Sequence, residues 1–348
     1  MNPATDQTMT RARDGGQPAA ASGLSIVVPL FNEAASLPRL HSRLVEIAQK
    51  LAAVRSLACE VIYVDDGSTD ATLSIARALP ATGLDIQVVS LSRNFGKEAA
   101  LLAGLDHARR GAVLFMDGDG QHPPALIETL VGHWLDDDYD VIYTAKASRT
   151  NESFARRVAI KLFYVLLNSD GRVTIPKDAG DFRLLSPRAA QALRQLPERN
   201  RFFKGLASWI GFRQKRIDYE PEQRAEGRST WGLRSLIGLS LNGLTAFSVA
   251  PLRFAIVLGL ILAVIALIYG GEIMYETLVY GVSVPGYPSV FVGVMVLGAV
   301  QLIMLGVVGE YIGKILYEIK ARPVYFVAEH DVKLREEIKQ PDTRTAAE

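Results

Sequence analysis

The chain has 348 residues, 49% of them hydrophobic, and a formal charge of +1. That length allows one large core with further elements, and so small a charge excludes a nucleic-acid binder working by bulk electrostatics. The single cysteine, Cys59, excludes an internal disulfide and a cysteine-built zinc site; in its apolar stretch it reads as a buried core residue.

Residues 1–22 are polar and lack the apolar core of a signal peptide, so they read as a disordered leader. Leu24 to Leu30 is a short apolar run closed by Phe31, Asn32 and Glu33, the pattern of a buried parallel strand. Leu40, Leu44, Ile47 and Leu51 fall at helical spacing and predict an amphipathic helix over Leu37 to Val54. Glu60 to Val64 is a second strand ending in Asp65 and Asp66. Ser68 or Asp70 caps the helix expected from Ala71 to Leu79. Ile86 to Leu91 is a third strand, followed by a polar turn through Lys97 and a helix to about His107.

The fourth strand is the run from Ala112 that stops in Asp117 and Asp119. The alternation of strand and helix predicts an α/β domain with a doubly wound, mostly parallel sheet. Ligands bind at the C-terminal edge of such a sheet, and three strands in turn end there in acidic or polar clusters. Two carboxylates one residue apart suit a hard divalent cation, Mg²⁺ or Mn²⁺, that fills its other positions with phosphate oxygens and water. His122 precedes Pro123 and Pro124 and reads as a turn residue. The glycine-rich phosphate cradles of dinucleotide-binding and P-loop folds are both missing.

Further on, Phe154 to Leu167 is an apolar helix ringed by Lys146, Arg149, Arg156, Arg157 and Lys161, in the manner of a helix at a membrane interface. Trp231 to Ser248 suits a second. Phe254 to Gly271 and Ser289 to Gly309 are uncharged and long enough to cross a bilayer. Arg228, Arg234 and Arg253 precede this pair and Lys314, Lys320 and Arg322 follow it, whereas Glu272 and Glu276 fall between the two runs. The positive-inside rule then puts both ends in the cytoplasm. The expected organisation is a leader (1–22), a cytosolic domain (23–230), an interfacial helix (231–250), a transmembrane hairpin (251–313) and a cytoplasmic tail (314–348), loosely held from about Glu329.

Together, Ile26-Val27-Val28-Pro29 with Asn32-Glu33, Val64-Asp65-Asp66-Gly67-Ser68-Thr69-Asp70, Asn94-Phe95-Gly96-Lys97 and Asp117-Gly118-Asp119-Gly120-Gln121 resemble family 2 glycosyltransferases of the GT-A fold. Asp178-Ala179-Gly180-Asp181-Phe182-Arg183-Leu184, Arg201-Phe202-Phe203-Lys204-Gly205 and the two apolar runs narrow this to the polyprenyl-phosphate glycosyltransferases, such as bactoprenol glucosyltransferases and, more distantly, dolichol-phosphate mannose synthases.

The resemblance implies inverting transfer of one sugar from a nucleotide-sugar donor, UDP-glucose or another UDP-hexose, to undecaprenyl or another polyprenyl phosphate at the inner membrane, for cell-envelope glycan modification. It puts Pro29, Phe31 and Glu33 in the uridine pocket, has Asp65 and Asp66 accept from base and ribose, and adds Lys97, Asp117 and Arg224 to the nucleotide side. Asp117, Asp119 and Gln121 would hold the metal, Asp181 would be the catalytic carboxylate, and Lys146 and Arg157 would meet the acceptor phosphate. A phosphate monoester has a second pKa of about 6, so Asp181 either acts as a base or orients the sugar and stabilises its cationic centre. Thr230 stands where the family commonly has lysine, a contact that is either missing or supplied by Arg228. Interfacial helices and a two-span anchor suit a homo-oligomer, a dimer or tetramer. The alternatives are a processive polysaccharide synthase, which needs more spans and a Gln-x-x-Arg-Trp segment, and a non-catalytic nucleotide-sugar-binding membrane protein.

Overall fold

The structure, a computed structural model, describes residues 23–120, 122–146, 179–199, 201–219, 250–281 and 286–335. The expected leader and both expected interfacial helices lie outside these residues. The first four strands are β1 (Leu24–Leu30), β2 (Cys59–Asp65), β3 (Asp85–Leu91) and β4 (Ala112–Phe115). They alternate with α1 (Leu37–Arg55), α2 (Thr72–Ala78) and α3 (Lys97–His107), and all run parallel in the order β4, β1, β2, β3. The α/β class and mostly parallel sheet expected from the alternation are what the chain forms.

Helix α4 (Leu126–Leu135) leads to β5 (Val141–Lys146). After it come β6 (Ala179–Leu185), α5 (Pro187–Arg194), α6 (Phe203–Trp209) and β7 (Gln214–Tyr219). Strand β6 runs antiparallel between β4 and β5, and β7 lies parallel to β5 at the edge. The C-terminal ends of β1 to β5 and β7, and the N-terminal start of β6, therefore share one rim.

Continuous apolar strands require a cover on each face. Ile26, Val28 and Tyr63 point to one side, with Leu40, Leu44, Leu51, Leu130 and Val131 of α1 and α4. Val27, Ile62 and Val64 point to the other, with Ala100, Leu101 and Leu105 of α3 and Leu193, Phe203 and Leu206 of α5 and α6. Cys59 is buried in the first layer, as its apolar context predicts, and burial pushes its thiol up to about 12. Pro29 is tolerated inside a central strand because β4 pairs with β1 only through Val27, so its missing N–H faces beyond the end of that ladder.

Two segments depart from the expectations. Helices α7 (Ala250–Tyr280) and α8 (Tyr287–Ile319) outrun the apolar stretches, so Glu272 and Glu276 lie on α7 rather than in the loop, and Lys314 lies on α8 rather than after it. Glutamate and lysine are good helix formers, and the ladder of helical hydrogen bonds continues through them. Among the described residues, the spans long and apolar enough to cross a membrane are Val257–Tyr280 and Val296–Ile319, with mean hydropathies of 2.3 and 1.7. The charged tail also does not hang loose from Glu329: β8 (Val327–Lys333) pairs antiparallel with β3 and closes the sheet at its far edge. Its charges find partners, Arg77 with Glu329 and Asp331, and Lys333 Nζ with the carbonyls of Arg77 and Leu79.

At the rim opposite the strand ends, Glu60 is buried yet fully engaged. Its Oε1 accepts from Ser25 Oγ (2.6 Å) and the amides of Arg109 (2.7 Å) and Arg110 (3.0 Å), and its Oε2 accepts from Gln87 Nε2 (2.9 Å). Removing one partner of such a network leaves the others buried without acceptors. Glu60→Ala is expected to destabilise the domain by about 2–4 kcal/mol, read as a fall in the thermal midpoint, with turnover per folded molecule unchanged because the site lies at the other rim.

Candidate active site

The site is set by one antiparallel register. Phe115 of β4 pairs with Arg183 of β6; extending each strand by two residues puts Asp117 opposite Asp181. Their side chains are 27% and 21% exposed. Between them stands Lys97, the first residue of α3, whose Nζ is 2.5 Å from Asp117 Oδ1 and 2.6 Å from Asp181 Oδ2. Lys204 of α6 reaches the other oxygen of Asp181 at 3.3 Å.

This clustering decides the ionisation. Burial opposes the charge of Asp181, but Lys97, Lys204 and the buried Arg183 more than offset it and hold the carboxyl well below its ordinary value. Burial likewise opposes the charge of Lys97, and Asp181 and Asp117 outweigh it, so the ammonium is pushed up. Asp181 is an anion clasped by two cations, and as a base it is weak. Tyr219, at the end of β7, is pushed up to about 12, chiefly by burial and then by Asp117, Asp119 and Asp181. The pocket is thus an acidic one.

Around it the strand ends are laced together. Asn32, at φ 57°, donates its amide to Ser68 Oγ and accepts from the Thr69 amide, and the Glu33 amide donates to Thr72 Oγ1. Ser36 Oγ hydrogen-bonds to Glu33 Oε2 (2.8 Å) and to the carbonyl of Gly118 (2.9 Å), which fixes the turn between Asp117 and Asp119. Asp70 accepts from the Thr72 amide at 3.0 Å, but the N-cap position of α2 is Ala71, which makes no side-chain cap bond, so neither Ser68 nor Asp70 occupies the cap that the sequence suggested. Phe31 is 47% exposed beside a half-buried Pro29, leaving an aromatic face open at this edge.

Asp65 and Asp66 are both buried. Asp65 receives the Ser68 amide, while the two oxygens of Asp66 receive the amides of Phe95 (2.7 Å) and Gly96 (2.9 Å). Asp66 therefore braces the loop before Lys97. Lys146 ends β5 at the same rim. Gln121, Arg157, Arg224, Arg228 and Thr230 lie outside the described residues.

Three contributors escaped the sequence reading. Lys204 sits in a motif noted for its resemblance but given no role. Glu98, beside Lys97, accepts the Phe203 amide at 2.9 Å and is pushed up to about 7, first by burial. His122 does more than turn the chain: its buried ring stacks on Phe182 at 4.9 Å and lies 5.8 Å from Tyr219, tying the Asp117 loop to β6 and β7. Burial lowers its pKa against the pull of Asp117 and Asp119. A histidine just after an acidic pair was the available signal, but it did not indicate what the ring packs on.

The oxygen donors Asp117 and Asp119, in an acidic pocket, suit a hard cation. Among the described residues no three His, Cys, Asp or Glu side chains gather closely enough to hold one alone.

Residues 25–194 match the model of the family described as Glycosyl transferase family 2. A glycosyltransferase of Synechocystis sp. is 41% identical over 88% of this chain and 95% of its own. The chain belongs to glycosyl transferase family 2. The SfII prophage-derived bactoprenol glucosyl transferase of Shigella flexneri is 39% identical over 87% of this glycosyltransferase and 97% of its own length, and a prophage bactoprenol glucosyl transferase homolog of Escherichia coli is 37% identical over 87% and 98%. A solved structure of glucosyl-3-phosphoglycerate synthase from Mycobacterium tuberculosis with UDP covers 66% of this chain and 79% of its own at 20% identity, with a TM-score of 0.44.

Burial of Glu98 is expected to make the stability of the glycosyltransferase depend on pH. Below the ordinary carboxyl range both folded and unfolded states hold its proton and its contribution is whole; as pH rises through about 7 the folded state must release a proton that burial retains, and the contribution is lost. Thermal midpoints of the parent should fall between about pH 5 and 7, and Glu98→Gln should flatten that fall. For His122, Phe should keep the stack and the parental rate to within about threefold, whereas Ala should lower the rate about tenfold or more.

Proposed function

We propose that this glycosyltransferase moves a single sugar from a nucleotide diphosphate donor, UDP-glucose or another UDP-hexose, to a polyprenyl phosphate, with inversion. The observation that carries the reading is the pair Asp117 and Asp181, facing each other at the rim of a domain that also carries two long apolar helices. The names of the Shigella and Escherichia relatives support the lipid acceptor.

The open face of Phe31 and Pro29 receives the base, and Glu33 and Asp65 accept hydrogen bonds from the nucleoside. Asp117, Asp119 and Gln121 would hold Mg²⁺ or Mn²⁺, which would offset the charge on the leaving diphosphate. Lys97, shared between Asp117 and Asp181, is placed to turn its ammonium to the donor phosphates. Arg224, from beyond β7, would add a positive contact on the donor side, and Lys146 and Arg157 would meet the acceptor phosphate. Asp181, held ionised by its two lysines, orients the sugar and stabilises positive charge at its anomeric carbon. The acceptor is already largely dianionic at neutral pH, so it attacks without a protein base, and one in-line displacement inverts the centre.

The reading sets the enzyme in the inner membrane with two spans, its catalytic domain and both termini on the cytoplasmic side. The pairing of β8 with β3 supports this, because a chain that leaves and rejoins one sheet crosses the bilayer an even number of times.

Membranes given undecaprenyl phosphate and a panel of UDP-sugars and GDP-mannose should form lipid-linked product with one donor; product with none overturns the reading. Asp119→Asn should cut metal-dependent turnover by about 100-fold or more. Asp181→Asn should cut transfer by about 100-fold while UDP affinity stays within about threefold; parental rates from either variant would remove that residue's assignment.

A further inference from the structure

The chain does not end at its second long helix. From Glu318, near the end of α8, it returns to the catalytic domain and touches both segments that carry lysines to Asp181. Glu318 accepts the Arg199 amide through Oε1 (3.0 Å) and Oε2 (3.1 Å), and Arg199 Nε donates to the carbonyl of Arg322 (3.1 Å). Arg199 lies just before α6, which bears Lys204. Val324 and Tyr325 pack against the core layer under α3, and Tyr325 Oη donates to Asp106 Oδ2 at 2.9 Å. The Phe326 carbonyl takes the Ser92 amide at 2.9 Å, and its ring lies 6.3 Å from that of Phe95.

Phe95 belongs to the loop that delivers Lys97. Arg93 lies over its ring, 4.0 Å from the ring centre, and Asp66 holds its amide. The loop has little freedom below, because a Cβ on Gly67 would come within 2.7 Å of the Arg93 and Asn94 backbone. Above it, the pairing of β8 with β3 shifts register between Ser90 and Leu91, where Ala328 is left without a partner, and the Phe326 that precedes β8 lies against the loop.

We propose that the stretch from Glu318 to Phe326 is a positioning element of the active site: by Phe326 on Phe95 and Glu318 on Arg199 it fixes the segments that present Lys97 and Lys204 to Asp181, so the order of the site depends on the seating of the second membrane helix. This rests on the donor reading of the site. The residues themselves touch no reacting atom; they act through the two lysines.

The test uses the full chain in detergent with Phe326→Leu, Phe326→Tyr and Glu318→Ala. Hydrogen exchange at the Phe95 and Gly96 amides should speed up about tenfold in Phe326→Leu, with the β2 amides unchanged, and return to parental rates in Phe326→Tyr. The donor KM should rise about threefold to tenfold in Phe326→Leu and in Glu318→Ala, with kcat changed less, and Phe326→Tyr should restore it. Unchanged exchange in Phe326→Leu overturns the proposal, and so does faster exchange with an unchanged donor KM, which would make the contact merely structural. The exchange arm needs no substrate. A parent that turns over no donor overturns the sugar-transfer reading and leaves exchange to decide this one.

Discussion

Two carboxylates brought face to face repel each other unless something positive stands between them, and the organisation of this rim follows from that. The register of β4 on β6 sets Asp117 against Asp181. Lys97 stands in the gap and Lys204 flanks it. At ~3 Å in a partly desolvated pocket, such charges interact by several kcal/mol even at an effective dielectric near 20. The arrangement is a balance of two anions against two cations, and removing either lysine would leave a carboxylate underpaired.

Two cores and two rims divide the labour. The far rim is tied by a saturated buried carboxylate, Glu60, whose bonds join β1, β2, β3 and the connection into β4. The near rim is tied by side-chain hydrogen bonds between loops: Asp66 accepts the Phe95 and Gly96 amides, Asn32 the Thr69 amide and Asp70 the Ala34 amide, while Ser36 Oγ bonds to the Gly118 carbonyl. Holding polar loops with polar atoms leaves the chemistry-bearing groups at the surface of a rigid scaffold, where ligands can reach them.

The strands and helices of the first 115 residues were legible because each apolar run had one period and clear stops. The parallel core and the acidic rim followed from them. The pairing of Asp117 with Asp181 was not, since it depends on an antiparallel register between segments more than sixty residues apart. Nor was the ionised, lysine-clasped state of Asp181, which needs Lys204 from a further element. The strand β8 was hidden because Glu329, His330, Asp331 and Lys333 break any apolar run in Val327–Lys333; it lies on a sheet edge, where such residues are expected. The reach of α7 and α8 past their apolar stretches was missed because hydropathy locates the greasy centre of a helix and not its hydrogen-bonded ends.

The return of β8 to β3 also bears on how the protein is made. The two strands lie about 240 residues apart, with both long apolar helices between them. On the ribosome, β3 emerges early and its outer edge stays unpaired until the last part of the chain has been synthesised. The sheet is therefore completed only near the end of synthesis. Until then the open strand edge is a surface that invites aggregation and proteolysis, and it is the polar stretch after the second long helix that covers it.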